Sequence, residues 1–280
     1  MKKHLFTIII ALIFIVGLSV LLYPTVADFI NSFRQSRVVA QFYSDVQTMA
    51  EEDFEELFEA AHEWNEALKR RENRFVYTEA QHQEYLSMLS PFESGVIGTL
   101  TIDVIDVRLP LYLGTNEAVL QRGVGHMEGT TLPIGGPGTH AVLSGHRGLP
   151  SSTLLTNLDR VAIDDIFVLR VLNKTLTYQI DQIVVVEPHE LDELAIDPNM
   201  DNVSLVTCTP YGINSHRMLL RGVRIPNEEI VNEQQVHMTT TTNVEVFDGV
   251  MVAALLGLLF IVILAGKSLI RRLKTDGRRR

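Results

Sequence analysis

The side chain best suited to nucleophilic chemistry is Cys208, the only cysteine among 280 residues. It lies in the stretch SLVTCTPYGINSHRMLLRGVR, residues 204–224. NVSLVTC alternates as a strand, with Ser204, Val206 and Cys208 on one face and Val203, Leu205 and Thr207 on the other. TPYGINSH follows as a turn-rich loop, and a second strand begins near Arg217. If the two strands pair antiparallel, Arg217 stands beside Cys208 across the mouth of the hairpin. A guanidinium there has two uses. It raises the thiolate fraction of a neighbouring thiol, and it holds a carbonyl oxygen on which negative charge is developing.

A thiolate nucleophile also calls for an imidazole, to form an ion pair and to protonate the leaving group. Nine histidines are available. His146, in VLSGHRGLP, follows an apolar run at a glycine-flanked strand end, where loops expose catalytic groups. His126, His140 and His216 remain rivals, because separation in sequence says nothing about distance. No metal is implied, since neither Cys-x-x-Cys nor His-Glu-x-x-His occurs. GGPG at 135–138 reads as a turn and not as a phosphate loop, so no nucleotide cofactor is expected either.

The elements that must position these groups fall into distinct textures. From Gly95 onward, short runs rich in Val, Ile, Leu and Thr alternate with Gly, Pro, Asn and Asp clusters, which predicts many short strands in a sandwich or barrel. Two short helical stretches are expected inside this domain, near 116–123 and 151–159. Before it, residues 28–89 read as helical: Phe54, Leu57, Phe58, Ala61, Trp64 and Leu68 recur at three- and four-residue steps. The six acids of EEDFEELFE (51–59) read as a solvated outer face rather than an ion site.

Two apolar runs flank everything else. Leu5–Leu22 has only Thr7 and Ser19 as polar members, and Val250–Gly266 carries no charge. Each approaches the roughly 20 residues needed to span a bilayer. Basic residues precede the first run and follow the second, so both termini are expected in the cytoplasm with the bulk of the chain outside. TVA at 25–27 keeps a cleaved signal peptide as the competing reading of the first run. With this topology the part outside carries a net charge of −18 and the tails +8, which argues against nucleic acid as a partner. The expected organisation is a membrane helix or signal anchor (1–23), an acidic helical preface (24–92), a strand-rich domain (93–226), a polar stalk (227–248), a second membrane helix (249–266) and a basic tail (267–280). A free thiol outside the cell is a liability unless it is used or well hidden. Its alternative fate, as a small buried hydrophobe, stays open on the residues alone.

Several motifs in order resemble one family. SLVTC, with Arg217 nine residues on, is similar to the Thr-Leu-x-Thr-Cys signature and downstream arginine of the sortases, cysteine transpeptidases of Gram-positive cell envelopes. LSGHRGLPSSTLLTNLDRV resembles their histidine region. LPLYLGTNEAVLQRGVGHMEGTTLPIGG, the TCTPYGINSHRMLLRG wording, the acidic preface and the C-terminal anchor resemble class C, the pilin-polymerising branch. The resemblance implies a mainly β fold: an eight-stranded sortase-type barrel with short helices, an α-helical N-terminal segment and two flanking transmembrane helices. It implies Cys208 as nucleophile, His146 as acid/base and Arg217 as oxyanion and substrate clamp, with Ser144, Leu205 and Thr207 as further candidates for substrate contact. The implied reaction is thiol-protease-like acyl transfer. An LPXTG-like sorting signal is cleaved between Thr and Gly, and the acyl group passes from Cys208 to a lysine of another pilin subunit. Partners are then pilins or surface proteins bearing such signals, and the membrane. Two alternatives stand beside this: a sortase that anchors surface proteins to peptidoglycan, and a non-catalytic membrane-tethered scaffold or adhesin. Two departures from the family pattern matter. Ser204 replaces the first Thr. The Asp-Pro-aromatic lid usual in class C is replaced by RRENRFVYTEAQHQEY, where Arg74 and Phe75 come nearest. The lid is therefore expected to be absent, weak or differently anchored.

Overall fold

The computed structural model describes residues 2–227, with side chains at residue 9 and from residue 12 onward. Residues 19–227 make one compact unit. The C-terminal apolar run, the stalk and the basic tail lie outside the described residues. The chain opens with helix α1, Lys2–Thr48, which runs on through Pro24 and well past the expected boundary at residue 23. It holds a window of 18 residues with mean hydropathy 2.0, none of them buried. Exposed Val20, Leu21 and Tyr23 belong to this apolar end, which fits anchoring in a membrane.

Helix α2, Glu51–Lys69, begins with three acids, Glu51, Glu52 and Asp53, at its positive end. The periodic stripe foreseen from sequence is the face it buries: Phe54, Phe58, Ala61, Trp64 and Leu68. Asn65 on this face is also buried. Its amide donates to the carbonyl of Leu132 at 3.2 Å and its oxygen accepts from the Leu132 N–H at 2.7 Å. The helix is thus docked by apolar area and by a paired polar group that cannot be left alone. Helix α3, Glu79–Ser87, starts at a capping box made by Thr78 and Gln81. Residues 70–78 between α2 and α3 form a loop.

Eight strands follow: β1 Val96–Ile102, β2 Val107–Leu113, β3 Val124–His126, β4 Thr139–Ser144, β5 Ile166–Val171, β6 Lys174–Val186, β7 Asp201–Thr209 and β8 His216–Ile225. They close into a barrel in the order β1-β2-β3-β4-β7-β8-β6-β5, which leaves no free sheet edge. The pairs β2–β3 and β4–β7 are parallel, and the other neighbours are antiparallel. Leu100, Leu111, Leu143, Leu169, Leu205 and Leu220 fill the interior and are fully buried. Each contributes about 2 kcal/mol through the apolar surface it removes from water. A second, smaller apolar cluster of Val142, Leu194, Val206 and Leu219 lies apart from this core. Strand alternation assigns it to the outer face of β4, β7 and β8.

Two details differ from expectation. The stretch 151–159 is a series of turns ending in a single 3₁₀ turn at Leu158–Arg160. Leu154 has φ +40°, which is incompatible with a continuing helix. The expected helix at 116–123 is one turn long, α4 Glu117–Leu120, capped by Asn116.

Candidate active site

The outer face of β7 ends at Cys208, which is free and half-buried. In the antiparallel β7–β8 register, Cys208 is the direct partner of Arg217. Arg217 alternates with Met218, which packs in the interior, so its side chain belongs to the same outer face as Cys208. Its Nη1 donates to the carbonyls of Asn214, at 3.2 Å, and His216, at 3.1 Å. These bonds brace the guanidinium at the mouth of the hairpin.

The histidine arrives through the parallel pairing of β4 with β7. Ser144 is the register partner of Val206. The Gly145 N–H donates to the Val206 carbonyl at 3.0 Å, and the Thr207 hydroxyl donates to the Gly145 carbonyl at 2.8 Å. His146 and Cys208 each lie two residues beyond the paired Ser144 and Val206, so the two strands deliver them together. Arg147 ties the same two segments: its Nη1 donates to the Thr209 hydroxyl at 3.4 Å and its Nη2 pairs with Asp159 at 2.6 Å. His146 Nε2 lies 3.2 Å from Glu117 Oε2 on α4. The Gln121 amide and the nearby imidazole hold the Glu117 carboxyl below the usual carboxylate range.

The rival histidines are occupied otherwise. His126 is fully buried, and that burial lowers its pKa to about 4 against an accompanying hydrogen bond with Thr131. Its Nδ1 meets the Tyr85 hydroxyl at 2.9 Å and its Nε2 the Thr131 carbonyl at 2.9 Å. Burial lowers the His140 pKa as well. Its ring joins the Ala195 carbonyl to the Ser204 hydroxyl, each at 2.8 Å, and so pins the β6–β7 connection to the outer face. His216 pairs with Glu187 at 3.2 Å on the solvent side. His216 also stands at this end, opposite Thr209, but on the strand face opposite to Arg217. His146 is the histidine that the β4–β7 register carries to the end where Cys208 stands.

Two expected substrate contacts are corrected. Leu205 and Thr207 are buried, and Leu205 packs in the interior core. Alternation already sets them opposite Cys208, and the closed barrel fills that side with protein. They hold the strand and do not line the outer face. Ser144, half-buried, remains on the Cys208 side, in line with Val142.

Loop 70–78 is present and packs on the outer face. Phe75 joins the Val142, Leu194, Val206 and Leu219 cluster. It lies so close to Gly129 that a Cβ there would meet its ring at 2.6 Å. Arg74 Nη2 donates to the Leu194 carbonyl, while Nη1 is buried without a partner. Burial lowers the Arg74 pKa from its ordinary value. At the far end of the loop, Tyr77 stacks on His82, whose Nδ1 lies 2.6 Å from Glu128. Among the described residues, none of the loop's hydrogen bonds reaches Cys208 or Arg217.

Sequence reasoning missed three residues that bear on this site: Asp28, Asn31 and Gln35 of α1. Asp28 Oδ1 accepts from Thr153 N and Oγ1, Asn31 donates to the Ser151 carbonyl, and Gln35 donates to the Ser152 hydroxyl. A signal was there, because positions 28, 31, 35, 38, 42 and 46 keep three- and four-residue steps into the buried Phe42 and Val46.

A model of the family described as "Sortase domain" matches residues 100–225. Sortase C1 from Streptococcus agalactiae is 44% identical, with a TM-score of 0.66 over 69% of this chain and 100% of that one. The sortase C1 of GBS pilus island 1 is 38% identical, with a TM-score of 0.63 over 71% of this chain and 96% of that one. Sortase A of S. agalactiae serotype III is 30% identical over 117 residues, 41% of this chain. That match spans about half of the curated relative, 47% of its length.

Proposed function

This chain belongs to the sortase family, within its class C branch, and from that membership we propose that it is a membrane-anchored cysteine transpeptidase that joins pilin subunits. The observation that carries the reading is the Cys208↔Arg217 pairing across β7 and β8, with His146 brought alongside by the β4–β7 register. A nucleophile, a fixed cation and an imidazole meet at the end of one apolar strip.

The chemistry follows from these groups. The Cys208 thiolate attacks the carbonyl carbon of the Thr–Gly amide in an LPXTG-like signal. Arg217 stabilises the oxyanion, which is where fixed positive charge gives the largest gain. His146 gives its proton to the departing glycine amine, and the C–N bond breaks to leave a thioacyl-enzyme. A lysine amine of a second pilin then attacks the thioester, His146 takes up the proton, and the thiolate leaves as the isopeptide forms. Val142, Val206 and Leu219 offer an apolar floor for the Leu-Pro part of the signal.

Loop 70–78 lies on that floor as a lid held by Phe75 and by the Arg74 bond to Leu194. A half-buried guanidinium with one nitrogen lacking a hydrogen-bond partner makes a costly anchor, so a peptide that claims the strip displaces it. The apolar end of α1 ties the enzyme to the membrane outside the cytoplasm. Substrates with their own membrane segments then meet it in two dimensions, which raises their effective concentration.

The test is to incubate the purified chain with candidate pilins and look for covalent ladders. Ladders that vanish in Cys208→Ala support the reading. Monomers attached to a cell-wall amine would reassign the acceptor to peptidoglycan. Ladders that survive Cys208→Ala would refute the role of the thiol.

A further inference from the structure

The loop that follows His146 is held by the helix that leads in from the apolar N-terminal run. Along α1, the face made by residues 28, 31, 35, 38, 42 and 46 changes character. Its later part is apolar, with Phe42 and Val46 buried against the core. Its earlier part is polar, and each of its three polar side chains meets one of three consecutive loop residues. Asp28 Oδ1 accepts from the Thr153 N–H at 2.6 Å and from its hydroxyl at 2.9 Å. Asn31 Nδ2 donates to the Ser151 carbonyl at 2.8 Å, and Gln35 Nε2 donates to the Ser152 hydroxyl at 3.3 Å.

The same loop carries the backbone of His146. The Leu155 N–H donates to the His146 carbonyl at 3.2 Å, and the Gly148 N–H donates to the Thr156 hydroxyl at 3.1 Å. Leu155 is fully buried and packs on Gly145, where a Cβ would lie 2.6 Å from its side chain. The returning limb, 153–156, is therefore the support on which His146 rests, and Asp28 grips the first residue of that limb. Asp28 lies six residues beyond Leu22, the end of the apolar run, or about 9 Å along a helix.

We propose that Asp28 is a positioning residue for His146, so that the anchor helix sets the histidine loop and the barrel is fully competent only while that clamp is made. The proposal rests on the catalytic reading of His146 given above. A helix that merely docked the barrel would need only the apolar half of the stripe. The charged acceptor sits instead on the loop limb that leads back to the histidine.

Because Cys208 is the only thiol, its alkylation by iodoacetamide reads the site directly and needs no substrate. The rate is measured against pH for the full chain in lipid nanodiscs, in the parent protein, His146→Ala, Asp28→Ala and Asp28→Asn. His146→Ala removes the imidazole, and its alkylation curve is expected to move to higher pH. Asp28→Ala is expected to move the curve the same way and to slow the reaction at pH 7 roughly threefold to fivefold. Asp28→Asn keeps an acceptor for Thr153 and is expected within about 1.5-fold of the parent. Thr153→Val, which retains the backbone donor, gives about a twofold slowing and serves if Asp28→Ala does not fold. An Asp28→Ala curve superimposed on the parent while His146→Ala is shifted overturns the proposal. So does an equal shift in Asp28→Ala and Asp28→Asn. A His146→Ala curve that does not move overturns the catalytic reading itself, and the positioning role with it.

Discussion

The two faces of β7 carry residues one position apart under opposite demands. Val203, Leu205 and Thr207 face the closed interior, where Leu143, Leu220 and Met218 pack around them. Ser204, Val206 and Cys208 face outward, where cover comes from His140, from the small Val142–Leu219 cluster and from loop 70–78. The inner face is close-packed. The outer face is covered by a loop held over it by the Phe75 ring and one half-satisfied guanidinium, with Tyr77 stacked on His82 at the loop's far end. On the proposed function, stability and chemistry are separated by the pleat of a single strand, and substitutions on the two sides should separate in the same way.

The largest effect is expected for Cys208→Ala. Transpeptidation should fall by at least about a thousandfold, while the melting temperature stays put, since a half-buried thiol contributes little packing. A large loss of stability in this variant would break the comparison. Leu205→Ala should do the reverse. It opens a cavity in the barrel and should cost about 2–5 kcal/mol in denaturant unfolding, with near-parental turnover in the fraction that remains folded.

A third effect belongs to the interior alone. His126 is buried neutral with its pKa lowered to about 4, whereas in the unfolded chain it titrates near the ordinary 6.5. Between these values the unfolded state binds more protons. The stabilisation is complete above pH 6.5 and is lost as pH falls toward 4, by about 3 kcal/mol in all. Unfolding measured against pH should show this slope in the parent and a flatter one in His126→Gln. The smallest effect is expected at the lid. Phe75→Ala removes the ring from the outer cluster and should raise kcat/KM for a sorting-signal peptide about threefold, with little change in stability. A loss of activity would mean that the ring belongs to the substrate site and is not its cover.

How much of this could be read from the sequence varied with the range of the interaction involved. The Cys208–Arg217 pairing was legible because two adjacent strands and a loop fix it locally: alternation gives the face, and the hairpin gives the partner. His146 was not separable from His126, His140 and His216, because its place depends on β4 pairing parallel with β7, more than 60 residues away. Strand β3, three residues long, is too short to show alternation at all. The error over Leu205 and Thr207 came from letting proximity to Cys208 outweigh the strand's own period. The α2 stripe was legible because helical spacing repeats over about four turns, from Phe54 to Leu68. The clamp formed by Asp28, Asn31 and Gln35 has the same spacing, but with polar side chains that a search for apolar periodicity passes over.

The most direct test is to mix the full chain with a peptide carrying an LPXTG-type signal, quench in acid and weigh the intact protein. The account predicts a mass increase equal to the acyl part of the peptide, ending at Thr. The adduct should be released by hydroxylamine, map to Cys208 and be absent in Arg217→Ala. An unmodified Cys208 in a protein that still cleaves the peptide, or an adduct at another residue, would contradict it.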